Sequence, residues 1–204
     1  GMKYDAVIIG AGISGMYQLY RLKNLGLSVK VFEAGSDVGG TWYWNRYPGC
    51  RFDSESYSYC YSFSKEVLHE WSWSEHFSAQ PETLRYLQYV AEKYDLKEDI
   101  QFNTRIATAS FDASSCEWTT SSVDGTAVTS DFLITAIGAL SSPYIPDFIG
   151  KESFEGDSWH TSQWPKKEID LSEKKVGVIG TGATAVQLIT EIAKDIGNLT
   201  VFQL

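Results

Sequence analysis

A glycine-rich turn set between an apolar run and a helical pattern, and repeated near the other end, constrains this chain more than any other feature. Gly10-Ala11-Gly12-Ile13-Ser14-Gly15 directly follows the apolar run Tyr4 to Ile9. It opens a stretch, Met16 to Leu25, in which Leu19, Leu22 and Leu25 recur at helical spacing. Gly26 stops that helix, and Leu27 to Phe32 resumes as a second buried strand. Strand, turn, helix and strand make one βαβ unit, whose two strands lie parallel. Gly180-Thr181-Gly182-Ala183-Thr184-Ala185 repeats the arrangement, with Val176 to Ile179 as strand, Val186 to Ile192 as helix and Leu199 to Phe202 as strand.

In such a turn the first glycine permits the reversal, the second lets backbone approach a pyrophosphate, and the third allows close helix–strand packing. The helix that follows points N–H groups and a partial positive charge at the phosphates. Glu33 ends the second strand, 23 positions beyond Gly10, where a carboxylate can accept hydrogen bonds from ribose hydroxyls. A solvated loop charge is the plainer alternative. In the second unit Ala185 takes the third glycine's place, which the packing role tolerates, and Gln203 stands 23 positions beyond Gly180. A neutral residue there lacks the carboxylate that would repel a 2′-phosphate, so NADP is favoured over NAD. The competing view of this turn is a packed βα corner with no ligand.

Between the two units, Gly39 to Phe63 is rich in glycine, tryptophan, tyrosine and arginine, and Tyr57, Tyr59, Tyr61 and Phe63 alternate at period two. That alternation predicts an extended segment with four rings on one face, packed into a core. Pro81 to Tyr94 predicts a helix, with proline in its first turn and Leu84, Leu87 and Val90 at helical spacing. Short strands are expected around 100–112, 116–121, 126–129 and 132–137, with a turn at Asp124-Gly125, and Ser141 to Pro146 reads as an exit. The fold class is therefore α/β: a Rossmann-like domain over 1–145, with a parallel sheet and a small antiparallel insertion. The first βαβ unit of a second dinucleotide domain follows a linker within 146–204. At 204 residues there is room for one domain and part of another.

Several function classes are disfavoured. The longest apolar stretch, Phe132 to Leu140, is interrupted by Thr135 and Gly138 and falls short of the roughly 20 residues that span a bilayer. The start of the chain leads into the glycine turn instead of a cleavage site, and Gly1 before Met2 reads as an expression remnant. Cys50, Cys60 and Cys116 have no metal-ligand or CxxC spacing and are odd in number, which suits a reducing cytoplasm and no disulfide framework. A net charge of −9 repels phosphate backbones and anionic membranes, leaving a small-molecule role. Ser74-Glu75-His76 has the residue types of a triad, but neighbours in sequence cannot adopt its facing geometry. No HExxH-like spacing supports a metal.

Gly39-Gly40-Thr41-Trp42-Tyr43-Trp44-Asn45-Arg46-Tyr47-Pro48-Gly49, followed by Asp53, resembles the signature of the Baeyer-Villiger monooxygenases, the class B flavoproteins. Phe154-x-Gly156-x-x-x-His160-x-x-x-Trp164-Pro165, just before the second glycine turn, is similar to that family's other fingerprint. The resemblance covers essentially the whole chain, although family members are usually more than twice this length. It implies that NADPH reduces FAD, that oxygen adds to the reduced flavin, and that the resulting peroxide converts a ketone to an ester or lactone.

By the same resemblance Asp53 is the active-site aspartate, which orients an arginine lying beyond Leu204, and Arg51 lines the NADP side. A loop-capping carboxylate is the plainer role for Asp53. The implied cofactor-binding positions are Gly10, Gly12, Ser14, Gly15, Glu33, Gly40, Thr41, Trp42, Trp44, Arg51, Asp53, Tyr59 and Ile106, together with Gly180, Thr181, Gly182, Ala183, Thr184 and Gln187. His160 and Trp164 are implied to couple the linker to NADP binding, with a packed linker histidine as the alternative. The 204 residues alone are expected not to turn over, and a strand ending at the terminus is expected to pair with a second copy as a homodimer. Other readings are a related monooxygenase of nitrogen or sulfur, a dithiol–disulfide reductase, whose short cysteine spacing Cys50 and Cys60 do not supply, and a non-catalytic flavin-binding remnant.

Overall fold

The computed structural model describes residues 2–203, so Gly1, read above as an expression remnant, and Leu204 lie outside the described residues. The chain divides into two compact units, one of Gly1–Trp44 with Leu84–Ser141, the other of Asn45–Thr83 with Ser142–Leu204.

The first unit is built on β1 (Lys3–Ile9), α1 (Ile13–Asn24) and β2 (Val29–Phe32), joined as the βαβ pattern requires. β1 pairs parallel with β2, Ala6 opposite Val29 through Ile9 opposite Phe32. Ala6, Val7 and Ile8 are all essentially buried, as befits a strand covered on both faces. Full burial of a side chain such as Val7 or Ile8 contributes about 1.5–3 kcal/mol. A one-turn helix, α2 (Thr41–Trp44), follows. The sheet is completed by β3 (Ile100–Gln101), β4 (Ile106–Asp112), β5 (Glu117–Ser122) and β6 (Ala127–Thr135), in the order β3-β2-β1-β6-β5-β4. The first four run parallel, and β6, β5 and β4 pair antiparallel, so the parallel sheet with its antiparallel insertion is present. Val7, Phe32 and Val128 form a core cluster, with Tyr4, Ile106 and Leu133 packed on it.

Two segments differ from the sequence expectation. The strands anticipated at 126–129 and 132–137 are one strand, β6, because Ser130 between them is fully buried and pairs with both Tyr4 and Trp118. A polar residue interrupts an apolar pattern, but it does not interrupt a ladder that satisfies its backbone on both sides.

The second unit departs further. Tyr57 to Phe63 is not an extended row of rings: Ser56–Tyr59 is a 3-10 turn, Tyr57 is 62% exposed and Tyr61 is 9% exposed. The cause is serine chemistry. Ser56 is buried, its Oγ donates to the Glu75 and His76 carbonyls (2.6 and 3.0 Å), and Ser58 Oγ donates to the Glu55 carbonyl (2.7 Å). The Ser58 bond is local and competes with strand pairing, and the Ser56 bonds tie the turn to a segment some twenty residues away. A short helix, α3 (Lys65–Glu70), is capped by Ser64, whose Oγ accepts from the Val67 N–H (3.2 Å). Helix α4 (Gln80–Lys93) carries Pro81 in its first turn as expected, and from Leu84 onward it belongs to the first unit. The second unit ends in β7 (Lys175–Ile179), α5 (Ala183–Ile192) and β8 (Asn198–Phe202). β7 and β8 run parallel, from Lys175 opposite Asn198 to Ile179 opposite Phe202. Among the described residues, no helix is long and apolar enough to cross a membrane.

Candidate functional site

The glycine turn of the first unit is shaped by contacts that forbid side chains. Gly10 has φ +102°, and a Cβ there would lie 2.5 Å from the Ala136 carbonyl oxygen. At Gly15 a Cβ would overlap the carbonyl oxygen of Gly10, so the start of α1 sits directly on the end of β1. Gly12 is the N-cap of α1; no side chain caps it, and no acidic residue lies in the first turn. The positive end of this helix is therefore not neutralised by a charge of its own.

The Gly39-Gly40 turn leans on the same place. Gly40 has φ +52°, a Cβ there would lie 2.8 Å from Gly12 Cα, and the Gly39 N–H donates to the Ala11 carbonyl (3.0 Å). The N–H groups of Tyr43 and Trp44 donate to the Gly40 carbonyl (both 3.0 Å), which folds Thr41–Trp44 into its single turn. Trp42 is buried and Trp44 is 43% exposed. Tyr43, within the signature but not among the expected cofactor-binding positions, bonds through its hydroxyl to Ser36 N and Oγ (3.1 and 2.8 Å) and so fixes the loop after β2.

Glu33 is 5% exposed, and its carboxylate accepts from the backbone N–H groups of Ala11 (Oε2, 2.7 Å) and Gly35 (Oε1, 2.7 Å). It is not a solvated loop charge. Bonds to a charged acceptor stabilise by about 1.5–3 kcal/mol each, so this side chain ties the glycine turn to the loop beyond β2. Its two oxygens offer roughly four acceptor positions, which leaves capacity for further donors. Ser14 is exposed in the first turn of α1, and Ile106 starts β4 against the core cluster. The first unit thus brings together Gly10, Gly12, Gly15, Glu33 and Gly40.

In the second unit Gly180 has φ +105°, and Gly182 is the N-cap of α5, again with no side-chain cap and no acidic residue in the first turn. A Cβ at Gly182 would meet nothing within 4 Å. Thr181 and Ala183 are exposed, and Thr184 is half-buried. Helix α5 holds the loop that ends at Asp53. Gln187 Oε1 accepts from Tyr47 Oη (2.8 Å) and from the Arg51 N–H (3.3 Å), and its Nε2 donates to the Arg51 carbonyl (2.9 Å) and to Asp53 Oδ1 (2.7 Å). Arg51 sends Nη1 to Glu75 (3.1 Å) and to the Phe77 carbonyl (3.3 Å). Gly49, Arg51, Val186, Gln187, Thr190, Glu191 and Lys194 line an open cavity of about 350 Å³.

Burial pushes the Tyr47 hydroxyl up to about 12, with the neighbouring Cys50 adding to the effect. Burial likewise pushes the Cys50 thiol up to about 11. Tyr59 stacks on Phe52 with ring centroids 4.3 Å apart. His160 Nδ1 accepts from the Ser162 N–H (3.2 Å) and caps the short turn Thr161–Gln163, while Trp164 lies 5.8 Å from the Trp159 ring. The arrangement within the second unit therefore joins Arg51 and Asp53 to Gln187, more than 130 residues away in sequence. The signal for that contact was the density of signature residues between Tyr47 and Asp53, which named the loop but not its partner helix.

The model of the FMO-like family, described as flavin-binding monooxygenase-like, matches residues 3–202. The chain is 48% identical over 198 residues to an acetone monooxygenase (methyl acetate-forming) of Gordonia sp. (strain TY-5), covering 97% of this chain and 37% of that protein. It is 46% identical over 201 residues to a phenazine N-monooxygenase of Lysobacter antibioticus, covering 98% of this chain and 37% of that protein. A solved structure described as oxidized steroid monooxygenase bound to NADP superposes with a TM-score of 0.94 at 48% identity, covering 99% of this chain and 39% of that one. The chain thus spans well under half the length of the proteins it resembles.

Proposed function

Because the chain belongs to the flavin-binding monooxygenase-like family, we propose that it supplies the FAD site and part of the NADP site of a Baeyer-Villiger monooxygenase that converts ketones to esters or lactones. The observation that carries this is the buried Glu33 carboxylate, held by the Ala11 and Gly35 N–H groups beside the uncapped start of α1. A carboxylate at a strand end, a helix N-terminus and two glycines in near contact make a cradle that a Cβ would fill, and this fits an adenine dinucleotide.

In this proposal Gly12, Ser14 and Gly40 receive the FAD diphosphate and Glu33 the ribose hydroxyls. Thr41, Trp42 and Trp44 border the ring system, Ile106 is a further contact within the first unit, and Tyr59 is a proposed cofactor position of the second unit. Thr181, Gly182, Ala183 and Thr184 receive the NADP diphosphate, with Arg51 on the NADP side. Asp53 is the catalytic carboxylate. When bound, FAD supplies the redox and oxygen-transfer chemistry, with NADPH as reductant. The chain's own residues bind, orient and exclude water. The domain division is an FAD domain over 1–145, followed by a linker and incomplete NADP domain over 146–204. Its setting is the cytoplasm, in keeping with three free cysteines. A homodimer is the proposed oligomeric state.

The test uses the full-length protein with NADPH, oxygen and a panel of linear and cyclic ketones. Ester or lactone detected by chromatography supports the proposal, and oxidation of NADPH with no ester from any ketone overturns it. A second reading, oxygenation at nitrogen, is favoured by the 46% identity to a phenazine N-monooxygenase. An N-oxide from an aromatic amine, in place of an ester, would select it.

A further inference from the structure

The Gln187 side chain is engaged at every hydrogen-bonding position it has. Its oxygen takes the Tyr47 hydroxyl and the Arg51 N–H, and its nitrogen gives one hydrogen to the Arg51 carbonyl and one to Asp53 Oδ1. A side-chain amide offers two acceptor lone pairs and two N–H donors. All four are used within the protein, so a ligand finds no position on this amide unless an internal bond breaks. The partners also fix which way the amide faces, since an N–H must meet oxygen, and a carbonyl and a carboxylate must meet nitrogen. Backbone packing adds to the attachment: a Cβ at Gly49 would lie 2.5 Å from the Gln187 carbonyl oxygen.

Asp53 is exposed, and a carboxylate on an exposed loop is free to change rotamer unless something holds it. What holds it is a residue one turn into α5, the helix that the second glycine turn opens. We propose that Gln187 is a positioning residue that fixes the Asp53 carboxylate and the Gly49 to Asp53 loop to helix α5, and is not a contact to the dinucleotide. This rests on the function proposed above, in which the α5 turn receives NADP and Asp53 acts in catalysis. The consequence is a mechanical link: a dinucleotide seated at the start of α5 restrains Asp53 through the amide.

The test is amide hydrogen exchange over residues 49–54 in the full-length protein with and without NADP⁺, alongside calorimetric NADP⁺ affinity. In the wild type NADP⁺ slows exchange in 49–54 by about tenfold or more. In Gln187→Met the NADP⁺ affinity stays within about threefold, but the slowing over 49–54 is lost. Gln187→Glu keeps the acceptor for Tyr47 and the Arg51 N–H while removing the donors to Asp53 and to the Arg51 carbonyl. It carries the same test should the methionine variant fail to fold. An affinity loss of about tenfold or more with the slowing retained at saturating NADP⁺ would make Gln187 a ligand contact and overturn the proposal. So would unchanged slowing in both variants. Wild-type protein that binds no NADP⁺ would overturn the dinucleotide reading of α5 and the link with it, and this shows before any substitution is made.

Discussion

A methyl group added at Gly15 and one added at Gly182 probe two different reasons for glycine. At Gly15 the new Cβ runs into the Gly10 carbonyl oxygen, a backbone atom that cannot swing aside. Overpacking of this kind costs about 1–3 kcal/mol, and at this chain length each kcal/mol is worth about 2–4 °C. Gly15→Ala should therefore lower the melting temperature and the FAD content of the purified protein together. Gly182 has φ −70° and open space where its Cβ would go, so Gly182→Ala should fold as well as the wild type. On the proposed role its glycine admits the dinucleotide, so the loss should appear in NADP⁺ affinity, by about tenfold. Equal losses of melting temperature in the two variants would remove that distinction. Cys50 gives a prediction in pH. Its thiol is raised from the ordinary 9 to about 11 in the folded chain, mainly by burial. The folded state therefore favours the protonated thiol. That stability is fully present below pH 9 and is lost as pH rises through about 11. Melting temperatures measured from pH 8 to 11 should fall more steeply for the wild type than for Cys50→Ala, and parallel curves would refute the assignment. Over the same range alkylation should reach the exposed Cys116 well before Cys50.

At the scale of elements, the strands and helices that carry the glycine turns were legible because two independent signals coincide in them. β1, α1, β2, β7, α5 and β8 each combine an apolar period with glycine punctuation, and each formed within a few residues of its expected bounds. The region from Ser56 to Phe63 was not legible, since its period-two aromatics satisfy the pattern for a strand while its serines satisfy a turn. The outcome is decided by hydrogen bonds to Glu75 and His76, some twenty residues away, which no local pattern encodes. Glu33 and Asp53 show the same divide at the site. The position of Glu33 follows from strand length and could be read directly, whereas the contact of Asp53 with Gln187 crosses 134 residues and could not. Ser56 supplies the corresponding test. It is buried, donates to two carbonyls and accepts from the Ser78 N–H (3.1 Å). Ser56→Ala removes the hydroxyl's bonds to the Glu75 carbonyl and the Ser78 N–H, while the His76 carbonyl keeps the Ser56 N–H (2.8 Å), and should cost about 1–3 kcal/mol. Faster amide exchange confined to 56–60 and 75–78 would verify it, and unchanged exchange there would count against this account of the turn.

For the molecule as a whole, chain order and compactness do not coincide. The backbone passes between the two units at 44/45, 83/84 and 141/142, so the segment 45–83, which holds most of the signature after its glycines, groups with β7, α5 and β8. Each unit then owns one uncapped helix start after a glycine turn, α1 in the first and α5 in the second. They differ in what stands behind that turn. The first rests on six strands with β1 buried on both faces, and the second on two strands, in which Val178 alone of β7 is buried. Less apolar burial means less stability to lose, so calorimetry of the 204-residue chain should show two transitions, with the second unit melting first. Ligands should separate them. A ligand that binds only the folded form adds RT ln(1 + [L]/Kd), about 2.7 kcal/mol at a hundredfold excess over Kd. FAD should thus raise the upper transition and leave the lower in place, and NADP⁺ should do the reverse. A single transition that both cofactors raise alike would mean that the two turns serve one cooperative body, and would overturn the independent melting of the two units.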